Sequence, residues 1–137
     1  MTKNIEVRFY TQTGNSKKLA DAIAKELGVN AKSVDEAMTE KADMVFLVNS
    51  VYWAGVDKHV KKFLKDNAGK IGELVNLSTA ALIESTYGQM QNLTRDAGIK
   101  LSDKEFHCRG SFTALHAGHP DAADMAAACK FVKGFCE

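Results

Sequence analysis

The stretch Thr11-Gln12-Thr13-Gly14-Asn15-Ser16 decides the fold, because it joins a strand pattern to a helix pattern. The run Ile5–Tyr10 before it alternates with the period of a β-strand, and 16–27 carries apolar residues at helical spacing. A hydroxyl- and amide-rich turn at a helix N-terminus binds anions, since free N–H groups and the helix dipole converge there. Gly14 allows a positive φ or a close approach to a ligand. The stretch predicts a phosphate-binding turn; the alternative is an ordinary capped turn of small polar residues.

This turn differs from the two common nucleotide-binding motifs. No Gly-Lys-Ser/Thr follows it, which excludes a Walker A loop, and it lacks the spacing of a G-x-G-x-x-G fingerprint. A phosphate held here would be bound by neutral hydroxyl and main-chain donors.

Size and composition place the chain among single-domain proteins. Its 137 residues are predicted to form one domain, 1–137, and its formal net charge of +1 gives no reason to expect nucleic acid. Cys108, Cys129 and Cys136 show neither a C-x-x-C nor a zinc-ligand spacing. Because their number is odd and no signal peptide is visible, we expect a reduced, cytoplasmic protein. No apolar run has the length of a membrane span, so no membrane partner is expected.

Strands and helices alternate along the chain. Strands are predicted at Ile5–Tyr10, Val29–Val34, Met44–Asn49, Ser78–Ile83 and Glu105–Phe112. Helices are predicted over 16–27, with Gly28 as C-cap, over Val56–Leu64, around Met90, Leu93 and Ala97, and over Ala122–Phe135. Right-handed crossovers then give an α/β three-layer sandwich around a mostly parallel sheet.

Two strands differ in how they are covered. Met44–Asn49 is apolar throughout, as expected of a strand buried on both faces, whereas Glu105–Phe112 alternates like an edge strand. Glu6 and Arg8 lie on one face of the first strand. Either they pair with each other or that face is poorly covered, and the pattern leaves both open.

Two further loops follow predicted strands and lie at the same sheet edge as the phosphate turn. One is Ser50-Val51-Tyr52-Trp53-Ala54-Gly55, which contains the only tryptophan of the chain, and the other is Glu84-Ser85-Thr86-Tyr87-Gly88. A planar aromatic ligand could stack on these rings, although packing on neighbouring helices is the alternative.

With these three loops, the chain resembles the flavodoxin family. The resemblance implies a five-stranded parallel sheet of order 2-1-3-4-5 and non-covalently bound FMN. It assigns the FMN phosphate to Thr11, Gln12, Thr13, Gly14, Asn15 and Ser16. It assigns the isoalloxazine ring to loops 50–55 and 84–88, with Trp53 or Tyr52 on one ring face and Tyr87 on the other. The peptide at Ala54-Gly55 matches the place where the family hydrogen-bonds the reduced flavin.

The implied function is one-electron shuttling between redox partner proteins by a monomer, with no general base or nucleophile. The alternative on the same fold is an FMN-dependent NAD(P)H or quinone oxidoreductase. A receiver or small tyrosine phosphatase is not favoured, because clustered carboxylates and a cysteine-to-arginine loop are missing after the first strand. A flavodoxin-like activator of ribonucleotide reductase is less firmly excluded.

The chain departs from the family in charge. Flavodoxins are typically strongly acidic around the flavin, whereas this chain is near neutral. We therefore expect a less negative low-potential couple than is usual, and docking of partners through a negative face is not favoured. Lys58, Lys61, Lys62 and Lys65 instead form a basic helix face.

Two other features draw attention without predicting a separate site. His116 and His119, with Asp121 nearby, lack a matching ligand cluster, so a loop role is favoured over metal binding. Cys108 is interpreted as a small core residue.

Overall fold

The computed structural model describes residues 4–10, 15–51, 58–80, 87–104, 106–108 and 122–135. Its strands are β1 (Ile5–Tyr10), β2 (Ala31–Ser33), β3 (Ala42–Val51), β4 (Ile71–Ala80), β5 (Lys100–Leu101) and β6 (Phe106–Cys108). Its helices are α1 (Asn15–Leu27), α2 (Lys58–Asn67), α3 (Tyr87–Ala97) and α4 (Ala122–Lys133), with a 3-10 turn at Ala68–Lys70.

All strand pairs in the sheet are parallel, and the order is β2-β1-β3-β4-β5, with β6 also paired to β4. The predicted order 2-1-3-4-5 is therefore confirmed. β3, the continuous apolar run, lies at the centre, and the short β2 lies at an edge. Parallel strands with connecting helices produce this arrangement because each crossover must return along one face of the sheet.

The helices cover both faces of the sheet and bury two separate cores, which confirms the three-layer sandwich. One core joins β1, β3 and β4 to α1 and α4 through fully buried side chains such as Leu19, Ile23, Phe46 and Val132. The other joins the opposite faces of these strands to α2 and α3. Its fully or almost fully buried side chains include Leu47, Phe63, Leu64, Leu74 and Met90.

The fourth strand begins earlier than predicted. β4 starts at Ile71, whereas the sequence pattern predicted a strand over Ser78–Ile83; residues 81–83 lie outside the described part of the chain. Gly72, Glu73 and Asn76 interrupt the apolar pattern and hide the strand. Gly72 is needed because a Cβ there would lie 2.5 Å from the backbone oxygen of Asp43.

Two short strands fill the fifth position. β5 pairs with β4 at Glu73 and Leu74, and β6 pairs with it from Leu77 to Thr79. The edge chain takes five residue steps from Leu101 to Phe106, while β4 takes three from Leu74 to Leu77, so the edge chain has two extra residues between its two pairings. The predicted strand Glu105–Phe112 thus missed β5, because a two-residue strand has no periodicity to detect.

Helix boundaries follow the predicted stripes closely. α1 ends before Gly28, whose φ of 75° supports the predicted C-cap, and Gly98 ends α3 with a φ of 73°. α2 begins at Lys58 and continues to the buried Asn67, beyond the predicted Val56–Leu64. Asn67 ties this helix end to the β2–β3 connection, because its side chain accepts a hydrogen bond from the Met38 amide (3.1 Å).

Candidate functional site

The carboxyl ends of β1, β3 and β4 lie side by side. Tyr10 is in register with Asn49, and Asn49 is in register with Ser78. The chain leaves these strands for α1, α2 and α3, so the segments 11–14, 52–57 and 81–86 all depart from one edge of the sheet. In open parallel sheets this edge forms the ligand crevice.

The first helix presents a positive end at that edge. α1 begins at Asn15 and has no acidic residue in its first turn, and Ser16 is fully buried. Lys17 forms an exposed ion pair with Asp21 at 2.8 Å, so its charge is partly compensated one turn along the helix. No carboxylate in the first turn opposes an anion at this helix end.

The other two predicted loops depart from neighbouring strands. Ser50 and Val51 end β3 and pair with Thr79 and Ala80 of β4. Tyr87 is the first residue of α3. Gly88, the second, is exposed, and a Cβ there would meet nothing within 4 Å, so packing does not require glycine at this position.

The structure therefore brings the described ends of the three predicted loops to one edge. The described candidate residues are Asn15, Ser16, Ser50, Val51, Tyr87 and Gly88. The others lie outside the described residues: Thr11, Gln12, Thr13, Gly14, Tyr52, Trp53, Ala54, Gly55, Glu84, Ser85 and Thr86. His116, His119 and Asp121 lie outside them as well.

Sequence reasoning missed a polar cluster at this edge. The ring of Tyr10, the last residue of β1, stacks on the His59 ring with centroids 4.9 Å apart and planes 16° apart. The Nδ1 atom of His59 lies 2.9 Å from the Asp35 carboxylate. Unlike the exposed lysines of α2, His59 is half-buried, and it lies against Tyr10. The aromatic end of β1 was the available signal, although nothing in the pattern paired it with residue 59.

Beneath this cluster lies a buried arginine. Arg8 is 1% exposed and forms an ion pair with Glu6, with Nη2 and Oε1 2.8 Å apart. Its Nη1 atom donates to the carbonyl oxygens of Ser33 (2.9 Å) and Glu36 (2.5 Å), and the guanidinium lies 5.5 Å from the Phe63 ring centroid. Glu6 and Arg8 therefore pair with each other, which is one of the two possibilities that the sequence left open. The two hydrogen bonds from Nη1 fix the backbone on both sides of Asp35.

The described residues offer little for other chemistry. Among them no group of three or more His, Cys, Asp or Glu side chains is placed to hold a metal ion. Cys129 is half-buried on α4, and burial, assisted by the Glu26 carboxylate and opposed by Lys133, raises the pKa of its thiol. A thiol so shifted is a poor nucleophile near neutral pH. No helix in the described part of the chain is long and apolar enough to cross a membrane.

Comparison with known protein families identifies the architecture. A family model for the flavodoxin domain matches residues 7–102, about two thirds of the chain. The chain belongs to the flavodoxin family. The match begins within β1 and ends just after β5, so it includes all three predicted loops. Membership implies a flavoprotein.

Solved flavodoxin structures share the fold over nearly the whole chain. A flavodoxin from the domain Archaea has a TM-score of 0.69 and 13% identity, over 92% of this chain and 91% of that one. A short-chain flavodoxin associated with a bacterial microcompartment has a TM-score of 0.71 and 16% identity, over 98% of this chain and 96% of that one. Oxidised flavodoxin 2 from Bacillus cereus has a TM-score of 0.67 and 15% identity, over 96% of this chain and 97% of that one. At these identities the likeness concerns the fold. The comparison with curated proteins returned no match.

Proposed function

We propose that this protein binds FMN and transfers single electrons between redox partner proteins as a monomer. The observation that carries the proposal is the flavodoxin-domain match over residues 7–102, which includes the Thr- and Ser-rich turn between β1 and α1. The arrangement of the strand ends supports it, because three successive loops depart from one edge of the sheet.

The donor set before α1 fits a phosphate monoester. Hydroxyl groups, an amide and a glycine precede or begin a helix with no carboxylate in its first turn. Such a helix end stabilises a dianion through main-chain N–H groups and the helix dipole. We assign the phosphate to Thr11, Gln12, Thr13, Gly14, Asn15 and Ser16.

The flavin ring is assigned to the two loops that follow β3 and β4. Tyr52 and Trp53 supply aromatic surface in one loop, and Tyr87 supplies it at the start of α3. Stacking of this kind contributes about 0.5–1.5 kcal/mol beyond the burial of apolar area. The full set comprises Ser50, Val51, Tyr52, Trp53, Ala54, Gly55, Glu84, Ser85, Thr86, Tyr87 and Gly88.

FMN, when bound, supplies the redox chemistry, and the chain supplies position and electrostatics. The helix end would hold the phosphate, the aromatic loops would exclude water from the ring, and a carbonyl oxygen of the Ala54-Gly55 peptide would accept a hydrogen bond from a flavin N–H. The Tyr10–His59–Asp35 cluster connects the strand before the phosphate turn to the helix after the aromatic loop, and so fixes those two loops at one end each.

The test is the visible spectrum of the purified full chain, followed by titration with FMN. A yellow protein with flavin bands, or stoichiometric binding by the colourless protein, supports the proposal. Thr13→Ala and Gly14→Val should weaken FMN binding, while Lys25→Ala, at an exposed position in the last turn of α1, serves as the control. Bound FMN should quench the fluorescence of Trp53, the only tryptophan of the chain. Absence of binding to the wild-type chain would refute the proposal, and steady NAD(P)H consumption without a partner would indicate a reductase.

A further inference from the structure

The outer surface of α2 carries a continuous basic stripe. Lys58, Lys61, Lys62 and Lys65 follow the spacing i, i+3, i+4, i+7, which places them on one side of the helix, and all four are exposed. The opposite side buries Val60, Phe63 and Leu64 in the core. We call these four lysines the basic face of α2; by the helix rise it extends for about 10 Å.

Within the described part of the chain, a carboxylate pairs with only one of these four lysines. Lys62 pairs with Asp66 at 2.5 Å, and the hydrogen bond to the Asp66 carboxylate, together with the negative charge of that carboxylate, raises the pKa of Lys62. Among the described residues, no carboxylate forms an ion pair with Lys58, Lys61 or Lys65. Lys58–Asn67 holds four lysines and one aspartate, so the other 127 residues carry a formal charge of −2 against a total of +1.

The basic face begins beside the proposed flavin site. Lys58 follows segment 52–57 directly, and that segment contains Tyr52 and Trp53. A partner seated on the basic face would therefore lie next to the loop to which we assign one face of the flavin ring. A docking surface for electron transfer has to bring the redox centre of the partner close to the flavin.

We propose that the basic face of α2 docks an acidic patch of a redox partner protein; this inference rests on the proposed function. A compact acidic patch fits the size of the stripe and gains affinity and association rate from charge complementarity. A nucleic acid fits less well, because its phosphates repeat every few ångströms beyond the stripe and would meet a surface of net negative charge. A lipid surface also fits less well, since the apolar side of α2 is buried in the core.

The test uses an acidic [2Fe–2S] ferredoxin as the probe and the ¹H–¹⁵N spectrum of the full chain as the readout, with and without FMN. We expect the ferredoxin to shift amide signals of Lys58–Asp66, and the binding to weaken at least tenfold between about 50 and about 500 mM salt. The triple variant Lys58→Glu, Lys61→Glu, Lys65→Glu should lose at least about tenfold in affinity. Basic cytochrome c should bind this variant better than it binds the unmodified chain.

The control carries the same change in charge elsewhere. Lys25→Glu, Lys32→Glu and Lys130→Glu alter exposed residues of α1, β2 and α4, and together should leave ferredoxin binding within about twofold. Equal losses in the two triple variants, shifts centred away from α2, or selective binding of RNA or anionic vesicles would overturn the proposal. Because docking is measured with and without FMN, docking without flavin binding refutes only the proposed function, and flavin binding without docking refutes only this inference.

Discussion

Arg8 gives the sharpest test of how this chain is held together. Replacing it by methionine keeps much of the side-chain length but removes the ion pair to Glu6 and the donor shared by the carbonyls of Ser33 and Glu36. Because Arg8 is 1% exposed, water does not replace these bonds at low cost. Breaking one side of a buried ion pair costs about 3–5 kcal/mol. For a chain of this length that loss lowers Tm by roughly 10–17 °C.

Urea unfolding of the full chain, followed by far-UV circular dichroism, measures the loss directly. The matched control is Lys32→Met, since Lys32 is the register partner of Arg8 on β2 and is exposed. It should change the free energy of unfolding by no more than about 0.5 kcal/mol. Adding Glu6→Gln to Arg8→Met should recover part of the loss, because the lone carboxylate is then removed. If Arg8→Met costs less than about 1 kcal/mol, the guanidinium is not the clamp that the contacts indicate.

Three further predictions follow from packing and charge. Gly72→Ala should destabilise the protein by about 1–3 kcal/mol in the same urea assay, because its Cβ would lie 2.5 Å from the Asp43 backbone oxygen. The control Gly69→Ala should be nearly neutral, because a Cβ there meets nothing within 4 Å, and equal losses of stability in the two variants would contradict the steric explanation. Burial raises the pKa of the Cys129 thiol above its ordinary 9.0. The thiol therefore contributes fully to stability below pH 9.0, and this contribution declines as pH rises through the pKa of the folded protein. Peptide mapping should show slower alkylation of Cys129 in the folded than in the unfolded chain at pH 8, and equal rates would contradict the raised pKa. In the FMN-loaded protein, a near-neutral surface with a basic Lys58–Asn67 should make the low-potential couple less negative than is usual for acidic flavodoxins, and a strongly negative value in potentiometric titration would oppose this.

The apolar pattern was sufficient to predict the sheet and its layers. Met44–Asn49 has the continuous apolar pattern of a strand covered on both faces, and Leu19 and Ile23 have the spacing of the buried stripe of a helix. Alternation of such strands and helices leaves few topologies, because crossovers are right-handed. The order of the strands came from the family resemblance.

Features set by tertiary contacts could not be read in this way. Glycine and polar residues at the start of β4 interrupt its apolar pattern, and Gly72 is required there by the backbone of the neighbouring strand β3. Arg8 on a central strand looks like a surface residue until the carbonyls of Ser33 and Glu36 supply its partners. Likewise, the contact of His59 with Tyr10 joins residues 49 positions apart, and no local periodicity reports it.

The central claim is that a phosphate-binding turn before α1 anchors a flavin at the carboxyl edge of the sheet. It is tested most directly by titrating the full chain with FMN and with riboflavin, which has the same ring but no phosphate, under identical conditions. FMN should bind at least about 100-fold more tightly, which corresponds to roughly 2.7 kcal/mol from the phosphate contacts. Equal affinity for the two flavins, or binding of neither, would contradict it.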